Sequence, residues 1–190
     1  MEYIIIFIAA VFVNNVVLAQ FLGICPFLGV SKKIKTAVGM SGAVTFVLTI
    51  SSIITFLINE YLLDTFGLGY LQTIVFILVI ASLVQMTEIV IKKISPPLYQ
   101  ALGVFLPLIS SNCAILGVAI LIIQKEYNLM QAVVYSISTA IGFALALIIF
   151  AGIREQMERT NIPSAMKGMP IALIVAGLLA MAFMGFSGIA

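Results

Sequence analysis

The sequence predicts an all-α integral membrane protein: six transmembrane helices arranged as two inverted three-helix repeats, with broken helices at the first and fourth spans. Three observations lead there. The 190 residues are 63% hydrophobic and only 8% charged, with mean hydropathy +1.28, whereas a soluble chain carries about 25% charged residues. The apolar residues fall into six windows of membrane-crossing length. A short cysteine motif occurs once in each half of the chain.

The windows are Tyr3–Val30, Thr36–Ile58, Leu68–Ile91, Leu98–Ile123, Leu129–Ala151 and Met169–Ile189. About 20 apolar residues cross the ~30 Å hydrocarbon layer as a helix. The runs are continuous rather than alternating, which excludes barrel strands. The first window has no basic start and runs past signal-peptide length, so it reads as a retained span. The connections Ser31–Lys35, Asn59–Gly67, Lys92–Pro97 and Gln124–Asn128 are short, and only Gly152–Gly168 has room for a surface helix. With no linker or soluble domain, residues 1–190 read as one membrane domain, its halves running from about 1 to 93 and 94 to 190.

Of the nine Lys and Arg residues, all but Lys125 lie in the first, third and fifth connections. Glu2, Glu60, Asp64 and Glu126 lie on the other side. Basic loops stay cytoplasmic, so both termini are expected on the outer side of the membrane. The absence of Trp leaves Tyr and Lys to mark the interfaces. The absence of His excludes histidine metal sites and histidine general bases. A net charge of +2 with no basic-aromatic patch gives nothing for nucleic acid, and no phosphate loop or nucleophile elbow occurs.

The two cysteines stand in Phe21-Leu22-Gly23-Ile24-Cys25-Pro26-Phe27-Leu28-Gly29-Val30 and Ser111-Asn112-Cys113-Ala114-Ile115-Leu116-Gly117-Val118, which share Cys-x-x-Leu-Gly-Val. The echo divides six spans into two sets of three, and an odd number per half inverts the second half. Inverted repeats place their sites near the midplane, on helices that break there. Pro26 lacks an amide proton and is expected to disrupt Phe21–Val30 as a helix; Gly103 and Pro107 precede Cys113. A lone membrane Cys is most often a small buried apolar residue, and a disulfide is a further option. Two cysteines at equivalent repeat positions favour a ligand role instead. Tetrahedral thiolate sites, iron–sulfur clusters included, need four thiolates. One chain offers two, so another chain must complete the site.

The remaining polar residues inside the windows are candidates for an ion path: Asn14 and Asn15 in the first, Ser111 and Asn112 in the fourth, and Thr87 and Glu88 in the third. The bland alternative for the amides and hydroxyls is interhelical hydrogen bonding. For Glu88 it is pairing with Lys92 one turn away. An intramembrane carboxylate is otherwise a mark of function, and it suits sodium or a proton. Gly142, Ala146, Ala172, Ala176 and Gly177 permit close helix packing.

On Val13-Asn14-Asn15, Phe21 to Phe27, Val30-Ser31-Lys32-Lys33, Phe105 to Ile109, Asn112-Cys113-Ala114 and Ala182 to Phe186, the chain resembles the RnfA/NqrE/NqrD family over nearly its whole length. These are membrane subunits of the bacterial Rnf complex and of the sodium-pumping NADH:quinone reductase. Asn14-Asn15 and the Cys25-Pro26 step favour the Rnf branch over an NqrE-type subunit. The resemblance implies a six-helix inverted-repeat fold and a 2Fe–2S cluster shared with a homologous RnfE-like subunit, each chain giving two cysteines, here Cys25 and Cys113. It implies a translocase moving electrons between ferredoxin and NAD, coupled to sodium or proton transport. Flavins and further clusters would sit in RnfB, RnfC, RnfD and RnfG-type partners, and this chain alone would hold no complete active site. The resemblance also implies sodium uptake at the position of Glu88. Two other readings stand beside it: a stand-alone inverted-repeat secondary transporter, and a structural subunit with inert cysteines.

Overall fold

The computed structural model describes residues 2–31, 33–63, 69–94, 112–160, 163 and 166–188. Among these the chain is helical, with no strand. Helix α1 (Glu2–Ile8) passes into a π-helical turn (Ala9–Val13). A non-helical stretch, 14–23, follows, and then the short α2 (Ile24–Val30). Helix α3 (Ile34–Ile58) ends in a second π-helical turn (Asn59–Leu63). A 3-10 turn (Gly69–Leu71) leads into α4 (Gln72–Ile94), followed by α5 (Cys113–Gln124), α6 (Leu129–Met157) and α7 (Met169–Met184), which closes with a 3-10 turn (Gly185–Gly188).

Three of the six apolar windows form helices long and apolar enough to cross a membrane: Ile34–Leu62, Gln72–Val90 and Leu129–Met157. The first window is broken. Of the fourth, only the part from Asn112 onward is described; Gly103, Pro107 and Ser111 lie outside the described residues. Helix α5, with 12 residues, rises about 18 Å and α7, with 16, about 24 Å, both short of a ~30 Å core.

Two expectations are corrected. Phe21–Val30 is not disrupted at Pro26. The break lies before it, and Pro26 stands in the first turn of α2, where the missing amide proton has no intrahelical partner to lose. The segment from Gly152 does not begin a loop either: α6 runs on through Ile153-Arg154-Glu155-Gln156-Met157, residues that favour a helix and that Arg154 ties down.

The core is built on α6. Ala140, Phe143, Ala146, Leu147, Phe150 and Ala151 on it are fully buried, and α1, α3, α5 and α7 all pack against it, α3 most extensively. Small residues let the backbones approach. Hydroxyls within this interface turn back onto carbonyls one turn earlier: Ser52 to Leu48 at 2.9 Å, Thr55 to Ser51 at 2.7 Å and Thr139 to Tyr135 at 2.8 Å. Where lipid offers no water, such internal satisfaction is required. No Asp, Glu, Lys or Arg is fully buried among the described residues.

Candidate functional site

A helix broken inside an apolar protein frees amides and carbonyls that must find other partners. In the first window Asn15 supplies several of them. It is completely buried. Its Oδ1 accepts from the amides of Val17 (3.1 Å) and Leu18 (3.4 Å), as an N-cap does. Its Nδ2 donates to the carbonyls of Val11 (3.2 Å) and, across to α6, Gly142 (2.9 Å). A side chain at Gly142 would meet Asn15 Nδ2 and Val11 Cα, both at 3.2 Å, so the glycine is what lets the break lie on α6. Asn14 is exposed, and its amide closes the π-helical turn on Ala9 at 2.7 Å. It faces a cavity of about 230 Å³ shared with Phe21, Ala180 and Met184.

The chain then turns through left-handed backbone at Phe21 (φ 57°) and Gly23 (φ 81°). Position 23 strongly favours glycine. Beyond its φ, a Cβ there would lie 3.1 Å from each of Ala114 Cβ, Asn112 Oδ1 and Phe143 Cε2. Leu22 packs where Gly117 of α5 leaves room; a Cβ on Gly117 would come within 2.5 Å of Leu22 Cδ1. The break is thus pressed between α5 and α6.

Helix α2 carries Cys25 in its first turn and is fastened to α6 at its far end. The Phe27 and Phe150 rings stack at 4.2 Å. Arg154 Nη1 donates to the Leu28 carbonyl at 2.8 Å and to Ser31 Oγ at 2.7 Å. The carbonyls at the end of a helix have no intrahelical partner; here Thr36 Oγ1 donates to the Val30 carbonyl at 3.1 Å, and the guanidinium serves that of Leu28.

Cys113 is the first residue of α5, capped by Asn112, whose Oδ1 accepts from the Ala114 amide at 3.0 Å. Asn112 is 3% exposed and its Nδ2 has no partner. The Gly23 amide donates to Cys113 Sγ at 2.9 Å. Because Gly23 stands two residues before Cys25, both cysteines belong to one small region, where the break meets the start of α5. Both are free and both are exposed at the protein surface. Among the described residues no group of three or more Cys, Asp and Glu gathers for a metal ion.

The structure does not gather every candidate there. Thr87 and Glu88 are half-buried on α4, which packs on α3 and α5, and Thr87 Oγ1 donates to the Leu83 carbonyl at 2.8 Å. Ser111 lies outside the described residues. Sequence reasoning missed Gly23, Gly117 and Arg154. Both glycines stand within the cysteine stretches, Gly23 two residues before Cys25 and Gly117 four after Cys113. For Arg154 it was an arginine in helix-forming sequence with an apolar residue on its N-terminal side, which reads from the sequence as loop charge.

These features define a helical membrane protein whose two cysteines surface together at the break of its first span. Residues 3–190 match the family described as Rnf-Nqr subunit, membrane protein, and the chain belongs to that family. It is 59% identical over 188 residues, 99% of this chain and 98% of the relative, to a subunit of the Na(+)-translocating ferredoxin:NAD(+) oxidoreductase complex of Acetobacterium woodii. It is 56% identical over 184 residues to a subunit of the ion-translocating oxidoreductase complex of Syntrophotalea carbinolica (97% and 95% covered). It is 53% identical over 188 residues to the matching subunit from Yersinia enterocolitica (99% and 97% covered). These relatives are RnfA proteins, parts of a membrane redox complex that moves ions.

Proposed function

We propose that this chain is the corresponding membrane subunit of an Rnf-type ferredoxin:NAD oxidoreductase, and that Cys25 and Cys113 are its half of a 2Fe–2S site. The observation that carries the reading is the convergence of the only two cysteines in the sequence at one exposed spot in an otherwise apolar chain. The donor set fits the group. Two free thiols, one already accepting a backbone amide, are half of a four-thiolate site, and their exposure leaves room for two more from a homologous RnfE-like chain. Held there, a 2Fe–2S group would supply one-electron transfer.

The residues of this chain do the rest. Cys25 and Cys113 present sulfur to the partner. Gly23 and Asn112 set the backbone behind them. Asn15 and Arg154 fix the two ends of the broken segment to α6. Two short helices, each beginning at a cysteine motif, support the two-fold inverted reading of six spans, with the basic end cytoplasmic and both termini outside. Coupling belongs at the break. A unit change of charge beside it acts in a low-dielectric setting, where such a change is energetically large, and so can bias the two halves between inward- and outward-open arrangements. Sodium or a proton would pass by way of Glu88 and the polar residues Thr87, Asn14, Asn15, Ser111 and Asn112.

The test is the iron–sulfur content of the purified complex. Cys25→Ser and Cys113→Ser should each abolish the same 2Fe–2S signal and reduce electron transfer to background. A complex that keeps all its 2Fe–2S signals in both variants would sink the proposal, and a chain active and colourless on its own would favour a stand-alone transporter.

A further inference from the structure

We propose that Gly23 is a positioning residue of this site: its backbone amide donates to Cys113 Sγ and favours the reduced state of the group bound there. The inference rests on Cys25 and Cys113 being ligands, and goes beyond it. The amide is 2.9 Å from the sulfur. A neutral thiol is a weak acceptor, whereas a hydrogen bond to an ionised acceptor is shorter and roughly twice as strong. In a broken span every freed amide needs a partner, and this one is aimed at sulfur rather than at a carbonyl.

The aim is imposed from two sides. Gly23 has a left-handed φ of 81°, and the three atoms that would crowd a Cβ at 3.1 Å come from α5 (Ala114), its cap (Asn112) and α6 (Phe143). Donor and acceptor therefore sit on different elements, the break of the first span and the start of α5. Hydrogen bonds to the sulfurs are among the factors that set the potential of such clusters. An added electron increases negative charge on sulfur, so a donor stabilises the reduced form and raises the potential. By the same linkage, reduction tightens the contact between the break and α5 and oxidation loosens it, so the break feels the redox state directly.

The experiment uses the intact complex grown with 15N-glycine and reduced to show the 2Fe–2S electron paramagnetic resonance signal that Cys25→Ser removes. Pulsed measurements on that signal should show coupling to a glycine nitrogen. In Gly23→Ala, where the added Cβ crowds Ala114, Asn112 and Phe143 and shifts the amide off sulfur, the midpoint potential should fall by at least one tenfold step in the reduction equilibrium, 59 mV for one electron. A signal without glycine coupling in the unaltered complex overturns the inference while leaving the ligand assignment standing. So does a Gly23→Ala complex with the potential unchanged. If Gly23→Ala does not assemble, the coupling in the unaltered complex decides alone. If no signal depends on Cys25 and Cys113, the ligand assignment itself falls.

Discussion

Arg154→Met isolates what fastens the cysteine-bearing half-helix. The arginine donates to the Leu28 carbonyl at 2.8 Å and to Ser31 Oγ at 2.7 Å, and its guanidinium lies 5.8 Å from the Phe150 ring centroid. A hydrogen bond to a charged group contributes about 1.5–3 kcal/mol, so two give about 3–6 kcal/mol if fully shielded. Arg154 is only half-buried, which halves this to about 1.5–3 kcal/mol; methionine keeps much of the apolar stem. At about 1.4 kcal/mol per tenfold, local opening of α2 rises about 10- to 100-fold. Hydrogen exchange of the complex reads it directly: the amides of Phe27 to Val30 should exchange faster by that factor, while α3 is unchanged. Arg154→Lys, with one compact ammonium in place of a planar fork, should fall between. An exchange rate at α2 equal to that of the unaltered protein, or acceleration spread evenly over α3, would refute the reasoning.

Three further outcomes follow from the same geometry. Asn15→Ala removes four hydrogen bonds in a fully buried position and, at about 1–3 kcal/mol per orphaned group, should cost more than ~3 kcal/mol; a Tm like that of a surface variant would contradict it. Gly117→Ala should destabilise by about 1–3 kcal/mol through overpacking, and Leu22→Ala should relieve it, because the added Cβ meets Leu22 Cδ1; strictly additive effects in the double variant would exclude that contact. Glu88→Gln should raise several-fold the cation concentration needed for half-maximal transport; an unchanged cation dependence takes Glu88 out of the path.

Much of this was legible in the sequence, and the rest was hidden for identifiable reasons. Apolar windows give helices well, since continuous hydrophobic length is a strong signal: α3 starts two residues before its window and ends with it, and α6 starts with its window but runs on to Met157. The pairing of Cys25 with Cys113 came from rarity: two copies of an uncommon residue in matching motifs. The position of the break did not follow from Pro26, because a proline is harmless within the first turn of a helix. The break is set by Asn15 and Gly23, one by satisfying freed backbone groups and the other by its left-handed φ. Neither residue type is decisive without its neighbours. Arg154 is hidden because a charge at a membrane edge usually faces water, and only the fold shows that this one reaches across to α2.

Apart from Ser51 and Asn112, every buried polar side-chain atom among the described residues finds a partner within the chain. Asn15 and Arg154 hold the broken segment to α6, and Leu22 and Gly23 press it against α5. Nothing in this arrangement requires Cys25 or Cys113 to face outward; serine or alanine would pack as well at an exposed surface. What the two cysteines have in common is a helix start behind them and open surface in front, and for Cys113 an amide aimed at sulfur. A sulfur that carries negative charge as a ligand gains more from that amide than a neutral thiol does. The Gly23 amide thus gives Cys113 a contact that exposure alone does not supply.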